Sequence, residues 1–441
     1  MISQLLFLLL FSTGIFFFAR RIGVIRRNIK SGRAWDGSDR TSERWATMAR
    51  VALGQGKMTT RPVAGVMHIL IYAGFVIINI EILEILIDGL FGTHRVFAFL
   101  GPVYDFLIAS FEWLAAGVIL ACVVFFIRRN GMAIARLASN DLKGWPSLDA
   151  NIILVVEVLL MFAFLSMNAA DAIAQSRGLE HYVTAGSFPV SSWLMPLYSG
   201  LSDAGVVAVE RSMWWFHIAG VLAFLVYVPY SKHFHIILAF PNTYYSNLNP
   251  SGQMDNMAAV KKEVDLMMDP NADPFAAAPP SDEPPAPFGV KDAPDLTWKQ
   301  LLEAYTCTEC GRCTSECPAN HTGKLLSPRK IMMSTRDRIE EIGQQREANG
   351  GKWEPDGKTL LGDWITEEEL WACTSCQACV EVCPINISPM GIILDMRRSL
   401  IMEDSKSPES ITSMFNNIEN NGAPWAFPAG SRGDWTQEVL P

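Results

Sequence analysis

The sequence has few charged residues and no basic stretch of the kind that nucleic-acid binding requires. Asp, Glu, Lys and Arg account for 18% of the 441 residues, and the formal net charge is −9. Because phosphate backbones are bound mainly through clustered Lys and Arg, this composition argues against nucleic acid as a partner. A glycine-rich nucleotide loop after a strand is also missing, so flavin or nicotinamide would be bound by another chain.

Cysteine is missing from most of the chain and concentrated in two places. Eight of the nine cysteines lie within 307–317 and 373–383, and the ninth, Cys122, is alone in an apolar run. A disulfide framework would spread its cysteines through a small secreted domain. Two tight groups instead indicate binding of a metal or a metal cluster in a reducing compartment.

Hydrophobic residues, by contrast, make up 50% of the chain and fall into long runs. Five runs have the roughly 20 residues that a transmembrane helix needs. They lie at about 2–19, 63–87, 104–127, 150–169 and 213–240. Lys and Arg are concentrated after the first and third runs. The positive-inside rule then predicts a multi-pass protein of the inner (cytoplasmic) membrane, with the N-terminus outside and the cysteine-rich half in the cytoplasm.

Each cysteine group has the spacing C-x2-C-x2-C-x3-C followed by proline, in "CTECGRCTSECP" and "CTSCQACVEVCP". In the bacterial two-cluster arrangement, three cysteines of such a motif hold one cluster and the fourth ligates the other. We therefore predict two [4Fe–4S] clusters, with the ligand sets Cys307, Cys310, Cys313, Cys383 and Cys373, Cys376, Cys379, Cys317. Structural zinc sites are the alternative, but they usually separate pairs of cysteines by a longer loop.

Composition divides the chain into four parts. The five runs define a transmembrane domain over 1–245. Residues 246–293 are predicted to form a linker, whose part over 267–293 is rich in proline, alanine and acidic residues and is therefore expected to be extended. We expect a cluster-binding domain over 294–405 and an extended tail over 406–441. The predicted fold is mainly α: a five-helix transmembrane bundle followed by a small α-helical, ferredoxin-like domain with two [4Fe–4S] clusters.

Histidine is rare as well, with seven residues in the chain. Ionisable residues inside membrane helices are candidates for function by default. His68 is about six residues into the second predicted span and His235 about five from the end of the fifth, so the two should lie at similar depth near the cytoplasm. We predict that they hold a b haem between two helices. The alternative is that both are polar residues at the membrane surface.

The stretch "PYSKHFHII", with His217 eighteen residues before His235, resembles the last helix of the gamma subunit of respiratory nitrate reductase and related cytochrome b subunits. The resemblance covers about 1–240. It implies that His68 and His235 ligate the haem nearer the cytoplasm and that His217 ligates an outer one. That family has a second histidine on helix two, where this chain has Ile78. Three alternatives therefore stay open: a second haem, a contact of His217 with quinone, and His233 as the partner of His68.

Residues 295–400 resemble the iron–sulfur subunit of heterodisulfide reductase and, more distantly, that of succinate dehydrogenase. The cysteine-rich CCG domain of heterodisulfide reductases is missing, and no two cysteines are adjacent. We therefore expect the substrate chemistry on a partner. That partner would be a cytosolic redox subunit, either one with a CCG-type domain or a flavoprotein.

The expected function is electron transfer between membrane quinone and the cytosolic partner through a b haem and the two clusters, in a multi-subunit quinone-linked oxidoreductase. No catalytic residues are predicted. Glu81, Glu84 and Asp88 share one helical face at i, i+3 and i+7, and are candidates for proton exchange with quinone. Further acidic residues of the spans are Asp105, Glu112 and Glu157. The alternative function is a non-redox membrane anchor whose clusters only stabilise a docking domain.

Overall fold

The computed structural model describes residues 1–250, 252–271 and 287–439, and the regular structure of this part of the chain is helical. The helices are α1 (Ile2–Lys30), α2 (Thr41–Met48), α3 (Pro62–Phe91), α4 (Pro102–Asn130), α5 (Trp145–Ser176), α6 (Met195–Tyr198), α7 (Asp203–Tyr227), α8 (His235–Tyr244), α9 (Ala258–Met268), α10 (Trp298–Thr306), α11 (Arg312–Ser315), α12 (Pro318–His321), α13 (Pro328–Ala348), α14 (Glu367–Trp371), α15 (Ala378–Glu381), α16 (Pro389–Met402), α17 (Glu409–Asn421) and α18 (Trp435–Val439). Among the described residues, β-type pairing is limited to two isolated bridges.

Five helices are long and apolar enough to cross a membrane, as predicted: α1, α3, α4, α5 and α7. Each has 28 to 32 residues, counting a short extension of α7 to Tyr230, whereas about 20 are needed. In the bundle α5 packs against α4 and α7, α3 packs against α4, and α1 lies against α3 and α7. Large apolar side chains such as Leu9, Phe106 and Leu120 are exposed on the outside of the bundle, which is the surface that lipid would cover.

Proline and glycine set the ends of several spans. Pro62 and Pro102 begin α3 and α4. Proline suits this position because the first helical N–H groups have no partner within the helix. Helix α3 is followed by Gly92, whose φ of 71° is the left-handed conformation that glycine adopts most readily.

The fifth span differs from the prediction of one continuous helix over 213–240. Helix α7 begins ten residues earlier, at Asp203, and is capped by the Ser202 hydroxyl, which accepts from the Gly205 N–H. It ends in a short 3-10 turn that contains Pro229, and Ser231 is extended. A second helix, α8, then starts at His235. The prediction is wrong here because Pro229 lacks the N–H that would continue the helix.

The half of the chain with the cysteine motifs packs directly on the membrane bundle. One apolar core joins Ile25 of α1 and Leu238 of α8 to Leu301, Ile331 and other residues of the cysteine-containing half. Residues 272–286 of the predicted linker lie outside the described residues. Near its end, Val290 and Ala293 are buried in this shared core. We call the end of the bundle that meets the cysteine motifs the cluster side, and the opposite end the distal side.

The segment predicted as an extended tail, 406–441, contains two helices in its described part. Helix α17 follows Pro408 and ends at Gly422, whose φ of 66° allows the left-handed turn that stops a helix. No side chain of α17 is buried. The prediction of an extended conformation is therefore wrong for 409–421. Proline just before a helix and glycine just after it mark the ends of the helix and do not prevent it from forming.

Candidate metal centres

The first cysteine motif wraps around a cavity of about 370 Å³. A capping box formed by Thr297 and Gln300 starts α10, and Cys307 follows the end of that helix. The chain then turns sharply through Glu309 (φ 55°) and Gly311 (φ 73°). The cysteines that line the cavity are Cys307, Cys310, Cys313, Cys379 and Cys383. The structure thus brings the fourth cysteine of the second motif to the first three of the first motif.

The second motif repeats this backbone geometry 66 positions later. Ser375 (φ 55°) and Gln377 (φ 61°) have the left-handed conformations that Glu309 and Gly311 have in the first motif. The Ser375 N–H donates to the Cys373 sulfur over 3.4 Å. Cys317, from the first motif, is a close neighbour of Cys373 and Cys379. Each motif therefore contributes its fourth cysteine to the group formed by the other.

The donor chemistry of both groups fits an iron–sulfur cluster. Among the described residues, no three His, Cys, Asp or Glu side chains converge closely enough for a single metal ion. A cubane of four irons, in contrast, is ligated by thiolates that are spread around it. Burial raises the pKa of Cys307 to about 12 and that of Cys383 to about 11. These thiols are protonated at neutral pH, so cluster insertion must displace their protons.

Buried charges hold the first motif against the membrane bundle. Glu309, between Cys307 and Cys310, accepts from Arg336 over 2.8 Å and binds the Lys232 ammonium. Burial by itself would raise the pKa of Glu309, but Arg336 and Lys232 hold it below its usual value. Lys232 belongs to the segment between α7 and α8, so this ion pair joins the cysteine motif to the end of the fifth span.

Two basic loops of the membrane half also hold the first motif. Arg136, between α4 and α5, donates to the Cys310 carbonyl. Arg312 donates to the Lys57 carbonyl over 2.8 Å, and Arg61 pairs with Glu316 at 2.8 Å. The loops that the charge pattern assigned to one membrane side therefore meet the cysteine motifs. These anchoring contacts were not predicted from the sequence, although arginines beside a cysteine motif were a visible signal.

The most deeply buried anchor is the pair between Arg329 of α13 and Asp141 of the loop between α4 and α5. Arg329 is fully buried and donates to both carboxylate oxygens, at 2.6 and 3.0 Å. It also donates to the Arg136 carbonyl over 2.8 Å. Burial by itself would raise the pKa of Asp141, but hydrogen bonds from Arg329 and Ser139 hold it below its usual range.

We expect Asp141→Asn to lower the free energy of unfolding by about 3–5 kcal/mol, because it leaves the buried Arg329 charge unpaired. Denaturant titration in detergent, followed by cluster absorbance, measures the change. The control is Glu347→Gln in the exposed pair with Arg27, where we expect less than about 1 kcal/mol. Since the pKa of Asp141 is lowered on folding, its stabilisation is present at neutral pH and is lost as pH falls below about 4. Equal effects of the two variants would contradict this role.

Three of the histidines lie together at the cluster side of the bundle. The rings of His68 and His235 are 6.2 Å apart between centroids and tilted by 41°. The ring of His233 is 5.6 Å from that of His235. Nδ1 of His235 lies 3.1 Å from the Lys232 carbonyl. Among the described residues, Nδ1 of His68 and Nε2 of His233 are buried without a hydrogen-bond partner.

These rings have the chemistry of metal ligands. Burial lowers the pKa of His235, and it lowers that of His233 to about 3, so both are neutral imidazoles at neutral pH. A ligating histidine usually donates its other ring N–H to a carbonyl, which is the contact that His235 makes with Lys232. Unpaired buried ring nitrogens, as in His68 and His233, carry a desolvation cost unless a ligand satisfies them.

His217 lies apart from this group. Because α7 begins at Asp203, His217 is in the middle of its helix and not near the start. Its Nδ1 is 2.9 Å from the Leu160 carbonyl, and its aromatic neighbour is Phe164, at 6.1 Å. Ile78, where the resembling family has a histidine, is buried in the apolar core of the bundle.

Comparison with known proteins identifies the cysteine-containing region. Residues 306–387, which include all eight cysteines, match the family model of the 4Fe-4S dicluster domain. The probable iron-sulfur-binding oxidoreductase FadF of Bacillus subtilis is 28% identical over 99% of this chain and 61% of its own length. The EtfAB:quinone oxidoreductase of Syntrophomonas wolfei is 26% identical over 91% of this chain and 55% of its own length.

A shorter match, 32% identical over 24% of this chain, is to one subunit of the ferredoxin/F(420)H(2)-dependent CoB-CoM heterodisulfide reductase of Methanosarcina acetivorans, of which it covers 53%. No solved structure matches the chain. The chain spans less than two thirds of the length of each of these three relatives. The similarity supports a domain with two [4Fe–4S] clusters in a protein related to iron–sulfur oxidoreductases, whereas the resemblance of 1–240 to a cytochrome b subunit stays a prediction.

Proposed function

We propose that the protein carries electrons between membrane quinone and a cytosolic redox partner, as the membrane subunit of a quinone-linked oxidoreductase. The five apolar spans, the dicluster domain and the similarity to a protein named as a quinone oxidoreductase support this function. The cluster side would face the cytoplasm, because the basic loops lie there. The proposed partner is a redox subunit with a CCG-type cysteine-rich domain or a flavoprotein.

The proposed ligands of the two clusters follow the exchange of cysteines between the motifs. Cys307, Cys310, Cys313 and Cys383 would hold the cluster nearer the bundle, and Cys373, Cys376, Cys379 and Cys317 would hold the other. Cys376 is exposed, whereas the remaining seven motif cysteines are buried or half-buried. The second cluster would therefore be the one that meets the partner.

His68 and His235 would hold a b haem at the cluster side of the bundle. The 6.2 Å between their ring centroids and the contact between His235 and the Lys232 carbonyl support this assignment. When bound, a b haem and [4Fe–4S] clusters accept and donate one electron at a time. His217 is kept as a candidate for a second haem, with a partner ligand not identified.

One observation carries the proposal: Lys232 contacts both candidate redox sites. Its carbonyl lies 3.1 Å from Nδ1 of His235, and its ammonium binds Glu309, which lies between Cys307 and Cys310. The histidine group and the first cysteine group are thus joined through a single residue. Such proximity is expected if electrons pass between the two sites, and a simple membrane anchor would not require it.

Oxidation of the reduced protein by quinone tests the function. Protein reduced with dithionite and freed of excess reductant should lose its b-type absorption and its reduced-cluster EPR signal when a water-soluble ubiquinone analogue is added. Electron transfer from the reduced protein to ubiquinone is thermodynamically favourable, whichever way electrons flow in the cell. We expect His68→Ala to slow cluster oxidation by about tenfold or more, which corresponds to a barrier increase of about 1.4 kcal/mol or more.

The result that would overturn the function is equally clear. In that result, the wild-type protein shows no b-type absorption, and quinone oxidises the clusters of the wild type and of His68→Ala at the same rate. It would mean that the clusters react directly with quinone from the solvent. The chain would then be a membrane anchor with a docking domain and would have no internal route for electrons.

A further inference from the structure

The distal half of the bundle contains a second polar site, which no cysteine or haem-ligand candidate lines. A cavity of about 400 Å³, here called the distal cavity, lies between α1, α3, α5 and α7 and the loop after α3. Its wall combines acids, histidines and indole rings, chief among them Glu81, Glu84, Asp88, His94, Trp214 and Trp215. Met1 and Gln4 of the distal end of α1 also line it, and Met1 is exposed, so the cavity reaches the distal surface.

Glu81 of this cavity wall is a carboxyl for which the described residues supply no hydrogen-bond donor. It is 5% exposed, and among the described residues its Oε2 is buried without a hydrogen-bond partner. Glu84 is different, because it accepts from the Tyr104 hydroxyl at 2.6 Å and from the Phe97 N–H at 2.9 Å. A buried carboxyl without a donor is costly unless a ligand or a proton satisfies it. Glu81 is therefore available for a hydrogen-bond donor inside the cavity.

The opposite wall is fixed by a buried ion-pair network. Arg95 binds Asp171 and donates to the Tyr104 hydroxyl and the Asn168 side chain, each at 3.0 Å. Nε2 of His94 lies 3.3 Å from the same Asp171 carboxylate. These contacts fix the wall, although Oδ1 of Asp171 is, like Oε2 of Glu81, buried without a hydrogen-bond partner among the described residues. A polar wall held by its own ion pairs that faces a carboxyl without a hydrogen-bond donor is the arrangement of a preformed binding site.

Three acids lead from the deep part of the cavity to the distal surface. Glu81, Glu84 and Asp88 lie on one face of α3, which ends at Phe91. At 1.5 Å per residue, Glu81 is about 15 Å from the end of the helix and Asp88 about 5 Å from it. Asp88 is half-buried and accepts from the Thr93 hydroxyl and the Arg95 N–H. A proton on Glu81 thus has a polar path to the distal side.

We propose that the distal cavity binds the hydroquinone head group and that Glu81 exchanges its hydroxyl protons with the distal side. This inference rests on the proposed function, for which it names the substrate site. Trp214 and Trp215 provide apolar ring surfaces suited to a planar head group. His217 lies one helical turn from Trp214, on the side toward His68 and His235, which places a further histidine between the cavity and the haem-ligand candidates.

The proton and electron balance is that of quinol oxidation. One hydroquinone loses two O–H protons and two electrons and becomes a quinone. Each proton passes in turn to the Glu81 carboxylate and from it to water of the cavity. The iron centres held by the proposed cysteine and histidine ligands would accept the two electrons one at a time, and the cytosolic partner would be the final oxidant. In the reverse direction, Glu81 returns two protons to the quinone oxygens.

Glu81→Gln tests the site in the full-length protein. At saturating ubiquinone analogue, we expect oxidation of the dithionite-reduced clusters to slow by about 100-fold, the usual size of a general acid–base contribution. Glu157→Gln is the matched control, because it removes a carboxyl from a membrane helix at a position that does not line the cavity. It should leave the rate unchanged. Trp214→Ala should instead raise the KM for the quinone and change kcat little.

The outcomes separate this inference from the function on which it rests. If quinone does not oxidise the wild-type protein, the proposed function fails. If it does, and Glu81→Gln matches the wild type in rate, the function stands and the distal site is wrong. If Glu81→Gln does not fold, the distal site is tested with wild-type protein in vesicles whose outer surface carries the cluster side. Quinone reduction should then make the lumen alkaline, as reported by trapped pyranine, and proton uptake from outside alone would overturn the proposal.

Discussion

Replacing Cys317 by serine is expected to remove or alter the cluster of the second motif and to leave the cluster of the first motif in place. Cys317 is a neighbour of Cys373 and Cys379 and is not among the cysteines that line the cavity of the first motif. Complete loss would lower the iron content from about eight to about four atoms per chain. Iron and sulfide analysis, together with EPR of the reduced protein, measures this change.

Double variants decide which cluster Cys317 serves. If Cys317 and Cys373 ligate the same cluster, the variant with serine at both positions should lose no more iron than Cys317→Ser alone, because effects within one unit are not additive. The variant with serine at Cys317 and Cys307 should lose both clusters. The opposite pattern would mean that each motif holds its own cluster and that the two motifs do not exchange their fourth cysteines.

The cysteine sites were the most predictable part of the molecule, and the reason is local geometry. Spacings of two and three residues, with left-handed turns at Glu309 and Gly311, place the thiols on one side of the chain whatever surrounds them. The same turns recur at Ser375 and Gln377. The short range of these constraints is why a motif of twelve residues is sufficient to recognise the site.

The five spans were predictable for a similar reason, since about 20 consecutive apolar residues are a strong signal. The ends of the fifth span were not predicted correctly. Glu210 and Arg211 are polar enough to suggest a loop, but they pair with each other, and Tyr182 donates to Glu210 at 3.0 Å. A tertiary partner therefore lets polar residues continue the helix, and such a partner cannot be recognised from the sequence around it.

The contacts that join the two halves were not predictable, because their partners are far apart in sequence. Lys232 and Glu309 are separated by 77 residues, and Arg329 and Asp141 by 188. The acids of α3 are an intermediate case. Their spacing predicted a shared face, and the structure places all three on the distal cavity. Only the structure reveals that Glu84 is already hydrogen-bonded and that Glu81 is not.

We expect His68→Ala and His235→Ala each to abolish b-haem binding while both clusters are retained, whereas His233→Ala should keep the haem. His233 is the matched control because it lies two residues from His235 and is buried in the same group. What distinguishes His235 is that its ring centroid lies 6.2 Å from that of His68 and that its Nδ1 contacts the Lys232 carbonyl, which fixes the ring and directs Nε2 away from that carbonyl.

Haem per chain, measured as the pyridine haemochrome against cluster absorbance, distinguishes the ligands. Cluster absorbance in each variant also shows that the protein has folded, since the cysteine-containing half shares its apolar core with α8. If His233→Ala loses the haem and His235→Ala keeps it, the ligand is His233. The contacts from His235 through Lys232 to Glu309 would then not begin at a haem ligand. If all three variants keep a full haem content, the b haem is held elsewhere in the bundle, and His217 becomes the first residue to replace.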